Sequence, residues 1–169
     1  MRGFTLVLCF VATTAAAQEP VPTPRESTRA ESIAPTPPTR EQARYLEGLR
    51  TAGRGIAQLK AGVSRVSGGR GDASRRKQAA RRLAGLCGTA RGFMTSGRTR
   101  MEPKAYEDSA RIKARRLTAQ VDSLIRAAPR CEMNAARQPD STVAGLLSRL
   151  KTYDAALKEF RTATGQPNR

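Results

Sequence analysis

The sequence predicts an all-α fold: an antiparallel helical bundle of about four helices, preceded by a disordered Pro-rich tail. Three observations predict it. From Thr39 onward, apolar residues recur at alternating spacings of three and four, which is the period of one face of a helix. No segment alternates apolar and polar residues with period two, so no sheet is expected. Six of the ten prolines fall between residues 18 and 38, and that composition cannot bury enough apolar surface to order itself.

The first 17 residues read as an export signal. Arg2 supplies a positive start, Phe4 to Ala12 a short apolar run, and Ala15-Ala16-Ala17 a small-residue cleavage site. The mature chain is then expected to begin at Gln18. The apolar run is too short for a permanent anchor, and no second long apolar stretch follows, so no transmembrane segment is expected after cleavage. The expected location is periplasmic or secreted. Residues 18–38 are read as an extended linker and residues 39–169 as the bundle domain, a size that suits a single domain.

Each helix has its own signals. Thr39-Arg-Glu-Gln42 is a capping box, in which Thr39 covers amides of the first turn and Gln42 reaches back. The first stripe follows: Tyr45, Leu49, Ala52, Ile56, Leu59, Val63 and Val66. Ser67 to Gly71 ends it, with glycine free to take a left-handed conformation. A second helix is expected from about Asp72 to Gly97, with Ala79, Leu83, Leu86, Cys87, Ala90 and Met94 inward. A third is expected to start at Glu102-Pro103, carry Tyr106, Ala110, Ala114, Leu117, Val121, Leu124 and Ala128, and stop at Pro129. A fourth is expected from Asp140-Ser141 to Gly165, with Val143, Leu146, Leu147, Leu150, Tyr153, Leu157 and Phe160 inward.

Loss of Cys9 with the signal leaves Cys87 and Cys131, an even pair suited to one disulfide in an oxidising compartment. A simple hairpin argues against the bond. Cys87 lies roughly 14 Å before the loop between the second and third helices, and Cys131 roughly 40 Å beyond it. A bridge therefore needs a broken helix, a fold-back after Pro129, or a pairing other than the simple hairpin. A bond between two copies and a pair of free thiols are the alternatives. In the second helix, Gly85, Gly88 and Gly92 fall opposite Leu83. They are read either as a surface for close approach of another helix, within the bundle or from a second copy, or as the mark of a marginal helix.

The chain carries a net charge of +17 and no histidine. The commonest general base and the commonest transition-metal ligand are therefore missing. No nucleophile elbow, phosphate loop, dinucleotide glycine pattern or haem-attachment motif occurs. Glu107-Asp108 is the one adjacent acidic pair, and it suits the positive end of the third helix. No enzyme, cofactor or metal site is expected. Arg70-Gly71-Asp72 spells an integrin-binding tripeptide, a match short enough to recur by chance.

The positive charge is concentrated between residues 70 and 116. Arg75, Arg76, Lys77, Arg81 and Arg82 open the second helix, and Arg111, Lys113, Arg115 and Arg116 lie along the third. If those helices are neighbours, the two clusters form one positive face, which attracts polyanions in a salt-dependent way. The expected function is that of an exported, non-enzymatic bundle of the cell envelope. Its expected partners are anionic envelope polymers, lipid headgroups or an acidic protein. Specific nucleic-acid binding is not indicated, because the aromatics lie on apolar stripes and offer no platform for bases. The alternative is a protein-binding module, a holdase-like chaperone or a subunit of an envelope complex, using the glycine-lined or an apolar helical face. A homodimer is a further candidate.

Overall fold

A computed structural model describes residues 37–69 and 71–166. The expected signal peptide, the linker up to residue 36, and Arg70 of the tripeptide lie outside the described residues. Four helices account for most of the rest: α1 (Arg40–Gly68), α2 (Ala73–Arg98), α3 (Asp108–Asn134) and α4 (Pro139–Ala163). No strand occurs among the described residues.

α1 starts where its capping box lies. The Gln42 amide donates to Thr39 Oγ1 at 3.2 Å, and the Thr39 amide donates to Gln42 Oε1 at 3.0 Å. All seven residues of its expected stripe are buried. The helix ends at Gly69, but with φ −82° rather than a left-handed conformation. Here the turn into α2 is closed by Asp72. Its amide donates to the Gly69 carbonyl, and its carboxylate accepts from the Arg75 amide at 3.0 Å. That cap contributes about 1 kcal/mol to a helix start.

α1 and α2 run antiparallel and approach backbone to backbone. Glycine recurs every seventh residue on α1, at Gly48, Gly55 and Gly62, and all three are buried. A Cβ on Gly48 would lie 2.6 Å from the Gly97 carbonyl oxygen, one on Gly55 2.5 Å from that of Ala90, and one on Gly62 2.8 Å from Leu83 Cδ1. The partner number falls by seven as the glycine number rises by seven, so the register holds along the whole seam.

α3 differs from its expected course at both ends. Pro103–Ala105 form only a short 3-10 turn, and the α-helix begins at Asp108. The reason is tertiary. Tyr106 is extended, and its ring packs edge-on against Tyr45 and Phe160, with centroids 5.2 Å away in each case. Its carbonyl accepts from Arg111 Nε at 2.7 Å. Pro129 does not stop the helix, which continues to Asn134. The ring removes one helical hydrogen bond, but Ala128, Cys131 and Ala135 around it are all buried and hold the last turns in place.

α4 completes an up-down-up-down bundle. It meets α1 through Phe160 against Tyr45 at one end and Asp154 paired with Lys60 further along. Leu147, expected inside, is 47% exposed, while Ala156 is buried. In α2, likewise, Ala80 rather than Ala79 is fully buried.

Candidate functional site

The late start of α3 decides where its charges go. Cys87 lies about 16 Å before the end of α2, and Cys131 about 35 Å after the start of α3. Residues 99–107 take up the difference by running on past the end of α2 before α3 turns back. Cys131 is thereby brought level with Cys87, and the two form a disulfide within the chain, with Cα atoms 6.0 Å apart. The pairing departs from the simple hairpin, as the bond required. Arg98 Nε bonds Asp122 Oδ1 at 2.8 Å in the same antiparallel register.

That register separates the two basic clusters. Arg82 lies about 24 Å from Arg98 toward one end of the bundle, and Arg116 about 9 Å from Asp122 toward the other. Arg75, Arg76, Lys77, Arg81 and Arg82 therefore sit at one end, and Arg111, Lys113, Arg115 and Arg116 at the opposite end. The helices are neighbours as expected, but the single positive face is not formed. The sequence could not show this, because it rests on nine connecting residues, of which those from Glu102 onward read as the start of a helix.

Several of these cations are already engaged. Arg75 pairs with Asp72 at 3.1 Å, and Arg76 pairs with Asp140 at the start of α4. Lys113 and Arg116 both hold Glu159 of α4, each at 2.9 Å. Their hydrogen bonds and charge keep the Glu159 carboxyl below the usual carboxylate range. Arg111 is committed to the Tyr106 carbonyl. Lys77, Arg81, Arg82 and Arg115 are exposed and carry no ion pair among the described residues.

The glycines expected to receive another helix do not do so within the bundle. A Cβ on Gly85 or Gly92 would meet nothing within 4 Å, and one on Gly88 would meet only the Glu132 carboxylate, at 3.2 Å. The close approach falls instead on Gly48, Gly55, Gly62 and Gly97. The signal was present as a seven-residue glycine period beside the apolar stripe of the first helix.

The structure also assembles cations that the sequence did not group. Arg126 and Arg130, one turn apart on α3, line a groove of about 890 Å³ with Arg149 of α4 and Arg91 of α2. Thr142, Gly145 and Arg149 of α4, with Gln138 just before the helix, form its other wall. Among the described residues, no aspartate or glutamate lines it. These arginines are scattered in sequence, and only the packing of α2 and α4 against α3 brings them together. A second groove, between α1 and α4, is larger, at about 1730 Å³, and has an apolar α1 wall that includes Leu46, Leu49 and Ile56.

No group of metal-ligating side chains occurs among the described residues, and no described helix is long and apolar enough to cross a membrane. Compared with known proteins, the chain matches no family model, no curated protein and no solved structure.

Proposed function

We propose that this protein is an exported, non-enzymatic helical bundle that associates with anionic material of the cell envelope through its basic surface. The observation that carries the reading is an excess of exposed cations that no carboxylate among the described residues neutralises. Lys77, Arg81 and Arg82 stand together at one end of the bundle, while the acids of that region are taken by Arg75 and Arg76. Guanidinium groups bind phosphate and carboxylate in two-point geometry, so such a surface suits polymers of either kind. The Cys87–Cys131 bridge supports a location outside the reducing cytoplasm, in keeping with the export signal read at residues 1–17.

The test leaves the internal ion pairs intact. A Lys77→Gln, Arg81→Gln, Arg82→Gln variant should elute from a phosphate-bearing cation-exchange matrix at clearly lower salt than the parent, because each lost contact reduces the salt-dependent term. Elution at the same salt, with the fold unchanged by circular dichroism, would overturn the reading.

A further inference from the structure

We infer that the groove between α3 and α4 is a discrete binding site for a ligand carrying more than one phosphate group. This rests on the reading of the protein as an anion binder, and gives it a particular place and chemistry. The groove is built from four arginines. On α3, Arg126 and Arg130 are one turn apart and exposed; Arg91 approaches from α2 and is exposed as well. None of these three forms an ion pair among the described residues. Arg149 closes the α4 side, with Nη1 donating to the Gly145 carbonyl at 2.9 Å and its remaining donors uncommitted among the described residues.

Four guanidinium groups around one concavity repel each other unless an anion sits between them. At several other places between helices the structure answers such crowding with a carboxylate. Glu159 lies between Lys113 and Arg116, Asp140 meets Arg76, and Asp122 meets Arg98. In this groove, four arginines converge with no acid among the described lining residues. Asp140, at the nearby start of α4, is held by Arg76.

The remaining groups fit the same ligand. Ser123, Ser141 and Thr142 present hydroxyls along the walls. Gly145 contributes no side chain there, and a Cβ on it would lie 3.6 Å from Arg149 Nη1. Ala127, Pro129 and Leu146 supply an apolar floor for the body of the ligand. The volume of about 890 Å³ lies in the range of small-ligand sites rather than polymer tracks. Arginine forks suit planar two-point contact with phosphate oxygens, and four of them exceed what a single phosphate can use.

Titration calorimetry with sodium tripolyphosphate tests the inference on the full oxidised chain. The parent should bind with one-to-one stoichiometry. An Arg91→Gln, Arg126→Gln, Arg130→Gln variant should bind about thirtyfold more weakly or worse, since several charge-assisted contacts are lost. An Arg44→Gln, Arg65→Gln, Lys151→Gln variant removes the same charge at exposed positions outside both surfaces and should stay within a few-fold of the parent. Equal weakening in both variants, or binding without a defined stoichiometry, would overturn the site. It would leave the general reading standing, because that is decided by matrix elution of the Lys77→Gln, Arg81→Gln, Arg82→Gln variant alone. Lipid vesicles containing phosphatidic acid separate the two sources of phosphate. If they compete with tripolyphosphate for the parent, and lose that competition in the groove variant, the site accepts a membrane-borne phosphate. If they do not compete, it takes a free phosphorylated ligand.

Discussion

The two helical hairpins of the bundle are closed by opposite means. Between α1 and α2 the contact positions are glycines, and the backbones meet: a Cβ on Gly97 would lie 2.4 Å from the Gly48 carbonyl oxygen. Between α3 and α4 the outer contact positions carry arginine, glutamine and hydroxyl side chains, and the helices leave a polar groove. The difference teaches that side-chain volume at a repeating position sets how close two helices come, and therefore whether a seam is sealed or available to a ligand. Besides a shared apolar core and the ion pairs Lys60–Asp154, Arg76–Asp140 and Arg98–Asp122, two features join the hairpins. Tyr45, Tyr106 and Phe160 form a ring cluster at one end, where Tyr45 also donates to the Ala114 carbonyl of α3 at 3.0 Å. The Cys87–Cys131 bridge joins them further along.

Breaking the ring cluster should have the largest effect, and alkaline pH is the tool. Burial pushes the phenols of Tyr45, Tyr106 and Tyr153 up to about 12 from an ordinary 10.0. A raised folded-state value means that the neutral phenol is favoured by folding. The stabilisation is complete below pH 10 and is lost as pH climbs from 10 to 12. Each tenfold change in proton affinity corresponds to about 1.4 kcal/mol, so three such groups put a loss of several kcal/mol against a total stability of order 10 kcal/mol. These are all the tyrosines in the chain, so tyrosinate absorbance reads the core directly. Absorbance and helical signal should change together between pH 10 and 12. Phenols that titrate near 10 while helicity persists would show that the rings do not hold the hairpins together.

Removing the covalent join comes next in size. The bridge closes a loop with a sequence separation of 44. On the chain-entropy account, its loss in a Cys87→Ala, Cys131→Ala variant should cost about 4 kcal/mol. Guanidinium unfolding of the parent, oxidised and reduced, beside the variant checks this. Coincident midpoints for all three would mean that the bridge does not constrain the hairpins.

The sequence made the helices legible because each carries a stripe long enough to set its period, and because Thr39 and Asp72 cap where polar side chains can reach free amides. It failed where tertiary contact overrides local preference. Glu102-Pro103 reads as a helix start, yet packing of Tyr106 between two rings holds Tyr106 and Glu107 extended after a short 3-10 turn, and the α-helix begins only at residue 108. That single displacement moved everything downstream. It brought Cys131 level with Cys87, separated the two basic clusters by about 30 Å, and gathered Arg91, Arg126, Arg130 and Arg149. Charge density along the chain located the first clusters but not the groove, since residues spread over two hairpins share no local pattern.

The glycines give the smallest effect and the sharpest contrast, because the same substitution should act in opposite directions on one helix. Alanine is a better helix former than glycine by about 1 kcal/mol. At Gly85 and Gly92 the added methyl enters open space, so Gly85→Ala and Gly92→Ala should each stabilise by up to that amount. At Gly97 the methyl meets the Gly48 carbonyl and the Ala52 amide nitrogen, at 2.4 and 2.5 Å. Neither is the end of a flexible side chain, so the helices must separate. Overpacking of this kind costs about 1–3 kcal/mol, and more when backbone rather than a side chain must move, so Gly97→Ala should lose about 2 kcal/mol net. Gly62→Ala should lose less, because its nearest neighbour is the Cδ1 methyl of Leu83, which can turn away. Thermal unfolding of the four single variants gives the order directly. If Gly97→Ala stabilises as Gly92→Ala does, the α1–α2 seam has room for a methyl, and glycine is not what closes it.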